Sequence, residues 1–223
     1  MTHPANSQPL DLFREGIAAL GLELPPQAFE QFRIYLEELK RWNARVNLTG
    51  LKTDRDIISK HFLDSLAVLP YLGEANSLAD LGSGAGFPGL VLKLARPFVS
   101  LTLVEARAKK AAFLEYLVSL LKLEGVEVVQ VHLTPELTRQ WGPRFQAVTS
   151  RATFPLARFL ELAAPLLHPR GRVLALKGPN LKPNEMEAAQ ERRGPLGLGT
   201  LELKHYHLPF SEEPRILVIA RHS

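Results

Sequence analysis

The chain has 223 residues, of which 46% are hydrophobic and 22% charged, with no cysteine. Such a composition suits a folded globular chain of one or two domains. It excludes disulfides, cysteine-ligated metals and thiol nucleophiles. Lys plus Arg exceed Asp plus Glu by 27 to 23, a net charge of +4. With a pI near 9.4, that excess tilts the surface toward polyanions. The opening residues carry no basic stretch followed by an apolar one, and no apolar run approaches the ~20 residues that cross a bilayer. A cytoplasmic chain without a membrane segment is expected.

Residues 1–8 read as a frayed terminus. Leu10, Phe13, Ile17 and Leu20 then recur at helical spacing until Gly21. After Pro25-Pro26, the stripe Phe29, Phe32, Leu36, Leu39, Trp42 and Val46 marks a longer helix that ends in the polar stretch Asn47–Gly50. Thr53 or Asp54 caps a third helix carrying Ile57, Ile58, His61, Phe62, Ser65, Leu66 and Leu69, closed by Pro70. The first 72 residues are therefore read as a helical extension, and 73–223 as a second unit of different rhythm.

Beyond Gly73, short apolar runs at 77–81, 100–104, 126–131, 145–149 and 172–176 predict strands. Helical patterns near 88–95, 108–122, 134–140 and 155–166 lie between them. This alternation predicts a parallel sheet with helices on both faces. Two last runs, 200–206 and 214–220, have no helix between them and should pair antiparallel at the sheet edge. The polar segment 178–199 is the longest loop, with a short helix at 184–192.

The stretch Asp80-Leu-Gly82-Ser-Gly84-Ala-Gly86-Phe87-Pro-Gly89 follows the first strand and opens a helix, which is where open α/β sheets bind ligands. Glycines let backbone approach a ligand closely, and a helix start offers free N–H groups. A nucleotide-triphosphate loop is excluded because Leu90 stands where a lysine is needed. Gly84, Gly86 and Gly89 satisfy the dinucleotide pattern G-x-G-x-x-G, so a nicotinamide-dependent oxidoreductase is a competing reading. Asp80 weighs against it: a carboxylate there repels a pyrophosphate but accepts hydrogen bonds from the cationic head of S-adenosylmethionine or from water bound to it.

Glu105 ends the second strand and can accept from both hydroxyls of a ribose; a solvated carboxylate beside Arg107, Lys109 and Lys110 is the plainer alternative. After the third strand, Glu136 is a candidate partner for an adenine amino group. Arg151, in Ser150-Arg151-Ala152, leaves the fourth strand at the same sheet edge and suits a carboxylate or phosphate. Lys177-Gly178-Pro179 reaches that edge from the fifth strand. No [DN]-P-P-[YFW] tetrapeptide follows strand four, which removes support for exocyclic-nitrogen methylation. A ring nitrogen with its own lone pair remains, and it needs alignment more than a base. His61 and Asp64, at i and i+3, read as interface packing. His205 and His207 have no third ligand, so no metal is expected. Lys40, Arg41, Arg45 and Lys52 form one basic cluster, where Trp42 could stack on a base.

In order along the chain stand Trp42-Asn43-x-x-x-Asn47-Leu48-Thr49, His61-Phe-Leu-Asp64-Ser65, Asp80 through Gly89, Leu103-Val-Glu105, Lys109-Lys-x-x-Phe113-Leu114, Ser150-Arg-Ala152 and Lys177-Gly178. This ordered set resembles the bacterial ribosomal RNA small-subunit methyltransferase G family, also called glucose-inhibited division protein B. The resemblance implies a class I, Rossmann-like α/β methyltransferase fold. It also implies methyl transfer from S-adenosylmethionine to N7 of a guanine in the 530 loop of 16S ribosomal RNA. Gly82, Gly84, Gly86, Phe87, Asp80 and Glu105 are then candidate cofactor residues, and Arg151 is the candidate catalytic residue. One departure stands out. Where the family usually reads Arg-x-Glu, this chain has Leu133-Thr134-Pro135 followed by Glu136, so Thr134, Pro135 and Glu136 are the candidates bordering the adenine. Trp42, Asn47, Lys109 and Lys177 are candidate contacts to the RNA or the small ribosomal subunit. A monomer is expected, and a noncatalytic RNA-binding protein is the third reading.

Overall fold

The computed structural model describes residues 7–211 and 213–222. Most of the expected frayed stretch at 1–8 lies outside them; the first helix, α1 (Ser7–Ala19), already begins at Ser7. Helix α2 (Pro26–Val46) follows, starting on the proline whose missing N–H costs nothing at that position. Helix α3 (Asp54–Ile57) is capped by Thr53, whose hydroxyl accepts from Asp56 N–H. The predicted single third helix is not uniform. Its middle, Ile58–Leu63, is a π turn that leads into α4 (Asp64–Leu66), and Pro70 lies in a 3-10 turn, Leu69–Leu72.

The remainder alternates β1 (Ser77–Leu81), α5 (Gly89–Ala95), β2 (Ser100–Glu105), α6 (Ala108–Leu120), β3 (Val126–Gln130), α7 (Pro135–Trp141), β4 (Phe145–Arg151), α8 (Leu156–Ala163) and β5 (Leu167–Lys177). Helix α9 (Pro183–Arg193) and the hairpin β6 (Glu202–His207) and β7 (Pro214–Arg221) complete the chain. Pro165 converts the end of the predicted 155–166 helix into a 3-10 turn, Ala164–Leu166. Strand β5 starts five residues before the predicted 172. Its register slips between Phe145↔Leu167 and Ala147↔Arg172, with Arg170 at φ 69 in the displaced stretch.

The strands form one sheet in the order β3-β2-β1-β4-β5-β7-β6. The first five run parallel; β7 pairs antiparallel with β5, and β6 antiparallel with β7. The C-terminal hairpin therefore forms as expected, with β7 on the inside and β6 at the edge. Strand periodicity splits each strand between two cores. Leu78, Leu103, Leu174 and Leu217 face the side covered by α1, α2, α5 and α6, whereas Ala79, Val104, Val148, Val173 and Val218 face the side covered by α8 and α9.

The N-terminal helices place an aromatic cluster under the future site. Phe13 and Phe32 (4.6 Å between centroids), Phe32 and Phe62 (5.2 Å), and Tyr35 and Phe87 (5.4 Å) form one run of rings from α1 to the glycine turn. All five are buried, each such ring contributing on the order of 1.5–3 kcal/mol of apolar transfer energy. The turn after β1 is thus seated on the helical extension. The order in which strands are added reverses between the parallel neighbours β1 and β4, the switch point whose carboxyl ends make a ligand crevice.

Candidate functional site

At the carboxyl end of β1 the backbone turns under its own hydrogen bonds. Gly82 and Ser83 N–H donate to Val104 O, Ser83 Oγ donates to Asp80 O, and Gly86 N–H donates to Ser83 O. Gly82 (φ +71) and Gly84 (φ +61) sit in the left-handed region that disfavours side chains. A Cβ on Gly84 would meet nothing closer than 3.9 Å, so that edge is open space. A Cβ on Gly82 would fall 2.3 Å from Thr153 Cγ2. Glu105 stands against the turn: its Oε2 accepts from Gly84 N–H (2.8 Å) and its Oε1 from Arg107 N–H (2.8 Å).

Three adjoining clefts open here. The first, about 870 Å³, lies between Glu105–Arg107, Val131–Leu133 and Thr153-Phe154. The second, about 820 Å³, shares Gly82, Glu105, Arg107 and Thr153 with it and adds Leu48, Thr49, His61, the glycine turn, Phe87, Lys110 and Arg151. The third, about 790 Å³, shares His61 and Arg151 and continues past Lys60, Asp64, Lys177 and Arg215. With Arg158 in the first cleft, seven Lys and Arg side chains therefore line one trough. Among the described residues, Arg107 and Lys110 make no ion pair.

Arg151 is the junction. Its Nη1 donates to Lys60 O (2.9 Å) and lies 3.4 Å from Asp64 Oδ2; its Nη2 is 2.8 Å from His61 Nδ1; its guanidinium carbon sits 4.9 Å from the Phe87 ring centre. Asp64 also accepts from Tyr206 Oη (2.8 Å) and lies 3.7 Å from Arg215 Nε. Burial, followed by the charge of Arg151, pushes the His61 imidazole down to about 2, so it is neutral. His61 Nδ1 lies 3.2 Å from Lys60 O as well, but that carbonyl already accepts from Arg151 Nη1 at 2.9 Å, and the closer Nη2 can only donate; the shorter contact assigns the lone pair to Nδ1 and the proton to Nε2. His61 and Asp64 thus belong to the site, whereas the sequence reads them as packing.

Of the sequence candidates, Gly82, Gly84, Phe87, Glu105 and Arg151 come together in this trough. Asp80 does not face it. Its side chain is fully buried beneath the turn, where Oδ2 accepts from Gly89 N–H (2.9 Å), and burial pushes its carboxyl up to about 7. Gly86 likewise backs away from the trough, packed against Tyr35 and Leu90. Thr134, Pro135 and Glu136 follow directly on the cleft wall without lining it. Thr134 caps α7 through Leu137 N–H, Pro135 is its first residue, and Glu136 points outward to Arg139. The wall at that end comes from the preceding Val131, His132 and Leu133.

The candidate RNA contacts fare unevenly. Trp42 packs on Phe113 (5.5 Å) and Tyr116 (5.3 Å) of α6, away from the trough. Asn47 (φ 54) terminates α2 in the left-handed conformation. Lys109 is exposed on α6, and its neighbour Lys110 is the one that lines the trough. Lys177 lines the third cleft with its ammonium on Glu185 (2.7 Å) and Phe154 O (2.8 Å).

The family model for rRNA small subunit methyltransferase G matches residues 28–213. The chain belongs to the rRNA small subunit methyltransferase G family. Among its relatives, the ribosomal RNA small subunit methyltransferase G of Geobacter sp. (strain M21) is 35% identical over 209 residues, covering 94% of this chain and 95% of the relative. That of Roseiflexus sp. (strain RS-1) is 40% identical over 212 residues, covering 94% and 90%. In fold, the O-methyltransferase from Bacillus cereus, solved with SAH, superposes with a TM-score of 0.60 at 16% identity, covering 85% of this chain and 91% of that one. Membership in the rRNA small subunit methyltransferase G family overturns the nicotinamide and noncatalytic alternatives. Among the described residues there is no group of three or more His, Asp or Glu able to hold a metal, and no helix long and apolar enough to cross a membrane.

Proposed function

We propose that this chain transfers a methyl group from S-adenosylmethionine to N7 of a guanine in the 530 loop of 16S ribosomal RNA. The carrying observation is the continuous trough at the switch point, which joins the glycine turn and Glu105 to a basic cleft through Arg151. The residues fit the cofactor. Gly84 leaves open space at the turn, and the carboxylate of Glu105 stands beside it where a ribose diol needs acceptors. Val131–Leu133 and Phe154 provide an apolar slot for an adenine.

S-adenosylmethionine supplies an electrophilic methyl group on a sulfonium. The chain's own task is alignment, because guanine N7 has an in-plane lone pair and needs no proton removed. Arg151 is held by three partners and gives the trough a fixed wall, while Arg107 and Lys110 offer their charges to phosphates. In this reading residues 73–223 form the methyltransferase domain and 1–72 its helical extension, acting as a cytoplasmic monomer that needs neither metal nor membrane. The test is transfer of labelled methyl to 16S RNA or small subunits lacking the modification, followed by nucleoside analysis. Label in 7-methylguanosine at one position supports the reading; label in another nucleoside, or none, contradicts it.

A further inference from the structure

We propose that the Thr49 hydroxyl is the hydrogen-bond donor that reads O6 of the target guanine; this rests on the guanine-N7 reading above. A threonine hydroxyl has one proton and two lone pairs. Leu51 N–H donates to Thr49 Oγ1 (3.1 Å), and His61 Nε2 lies 2.7 Å from the same oxygen. The direction of that second bond follows from Arg151. Nη2 can only donate, and its 2.8 Å contact with His61 Nδ1 is shorter than the 3.2 Å from Nδ1 to Lys60 O, so the imidazole proton is assigned to Nε2 and given to Thr49. Both lone pairs of Oγ1 are thus used. Its proton has no acceptor among the described residues, and Thr49 lines the second cleft opposite the glycine turn.

The donor is rigidly placed. Asn43 clamps the Thr49 backbone from both sides, Nδ2 donating to Thr49 O (2.9 Å) and Oδ1 accepting from Thr49 N–H (2.8 Å). The imidazole behind it stacks on Phe87 at 4.4 Å. A fixed donor at the cleft requires an acceptor on the ligand. Guanine presents N7 and O6 as adjacent acceptors on one edge, whereas adenine presents N7 beside an amino donor. A donor at O6 therefore accepts guanine and rejects adenine, and it does so on the edge that carries the methylated nitrogen. Thr49 is a specificity residue in this account, and His61 and Arg151 are positioning residues that set the direction of its proton.

The test compares wild type, Thr49→Val and Thr49→Ser for S-adenosylhomocysteine affinity by calorimetry. It also compares their single-turnover methylation of 16S RNA carrying guanine or 2-aminopurine, which lacks O6, at the target. Thr49→Val should lower kcat/KM on guanine by about 10- to 100-fold with cofactor affinity unchanged, and Thr49→Ser should restore most of it. Replacing guanine by 2-aminopurine should cost wild type the same factor and Thr49→Val little more. Three outcomes would overturn the assignment: unchanged turnover in Thr49→Val, a parallel loss of cofactor affinity, or an equal 2-aminopurine penalty in both proteins. A wild-type enzyme inactive on guanine-containing RNA would overturn the reaction reading itself, and this assignment with it.

Discussion

Arg151 Nη2 stands 2.8 Å from His61 Nδ1, joining the end of β4 to the π turn across 90 residues of sequence. One guanidinium thereby couples the sheet edge to the helical extension and fixes the tautomer of a half-buried imidazole. π turns insert a residue into a helix and recur at functional sites. Here the insertion carries His61, and the carbonyl of Lys60 receives the same guanidinium.

Arg151→Ala removes the guanidinium from Lys60 O, His61 Nδ1 and the buried Asp64 carboxylate together. Stability should fall by about 1–3 kcal/mol in denaturant titrations. Turnover of the folded fraction should fall further, by about tenfold or more, since the fixed wall and the proton direction at Thr49 are both lost. Lower stability with unchanged turnover in the folded fraction would make Arg151 purely structural.

Gly82→Arg forces a side chain into φ +71, at about 1–2 kcal/mol, and onto Thr153 beside the trough. Calorimetry should show S-adenosylhomocysteine affinity lost by about 100-fold or more in a protein that still folds. Native affinity would sink the assignment of the glycine turn.

The buried Asp80 and the half-buried His61 give opposite pH dependence. Asp80 is raised from 3.8 to about 7 by burial, so the folded state holds its proton longer; that stabilisation is complete below the unfolded value and lost as pH rises through about 7. His61 is lowered from 6.5 to about 2, so its contribution is present above 6.5 and lost as pH falls. Between about pH 4.5 and 6.5 the two slopes oppose each other. Asp80→Asn should therefore make stability rise more steeply with pH in that window, and His61→Asn should make it fall. Denaturant titrations across the window check both, and profiles parallel to wild type would show that neither group titrates as its burial demands.

Glu105 and Glu136 separate the two carboxylates offered by the sequence. Glu136→Ala should leave cofactor affinity within about twofold, since its side chain is exposed and paired to Arg139. Glu105→Ala frees Gly84 N–H and removes the ribose acceptor, and should cost about 10- to 100-fold. The reverse ranking would restore the sequence assignment.

Arg107 and Lys110 carry the polyanion argument. Each change to alanine should weaken binding of any RNA fragment and lower the slope of log K against log salt by about 0.7 to 0.9. An unchanged slope would place the RNA backbone elsewhere.

The glycine turn and the strand order were legible because both depend on local patterns: Gly spacing, and apolar runs alternating with helical stripes. What the sequence concealed depends on which way a side chain points. Asp80 precedes the turn, yet the strand alternation sends its carboxylate under Gly89 instead of into the cleft. Glu136 lies just past the helix start, so Thr134 and Pro135 are spent on capping and the wall falls to Val131–Leu133. His61 and Asp64 look like ordinary helix neighbours under a 3.6-residue period, which has no place for a π turn. Trp42 reads as a stacking platform, and the sequence does not show that it packs on Phe113 and Tyr116 of α6, outside the trough. The displaced residues of β5, with Pro169 and Gly171, carry the signature of a loop.

The most direct test of the central claim is a crystal structure with S-adenosylhomocysteine bound. The account predicts its amino-acid end at Gly82–Ala85, its ribose hydroxyls on Glu105 and its adenine between Val131–Leu133 and Phe154, with the Thr49–His61–Arg151 chain unmoved. Density for the ligand outside the trough, or a ribose turned away from Glu105, would contradict it.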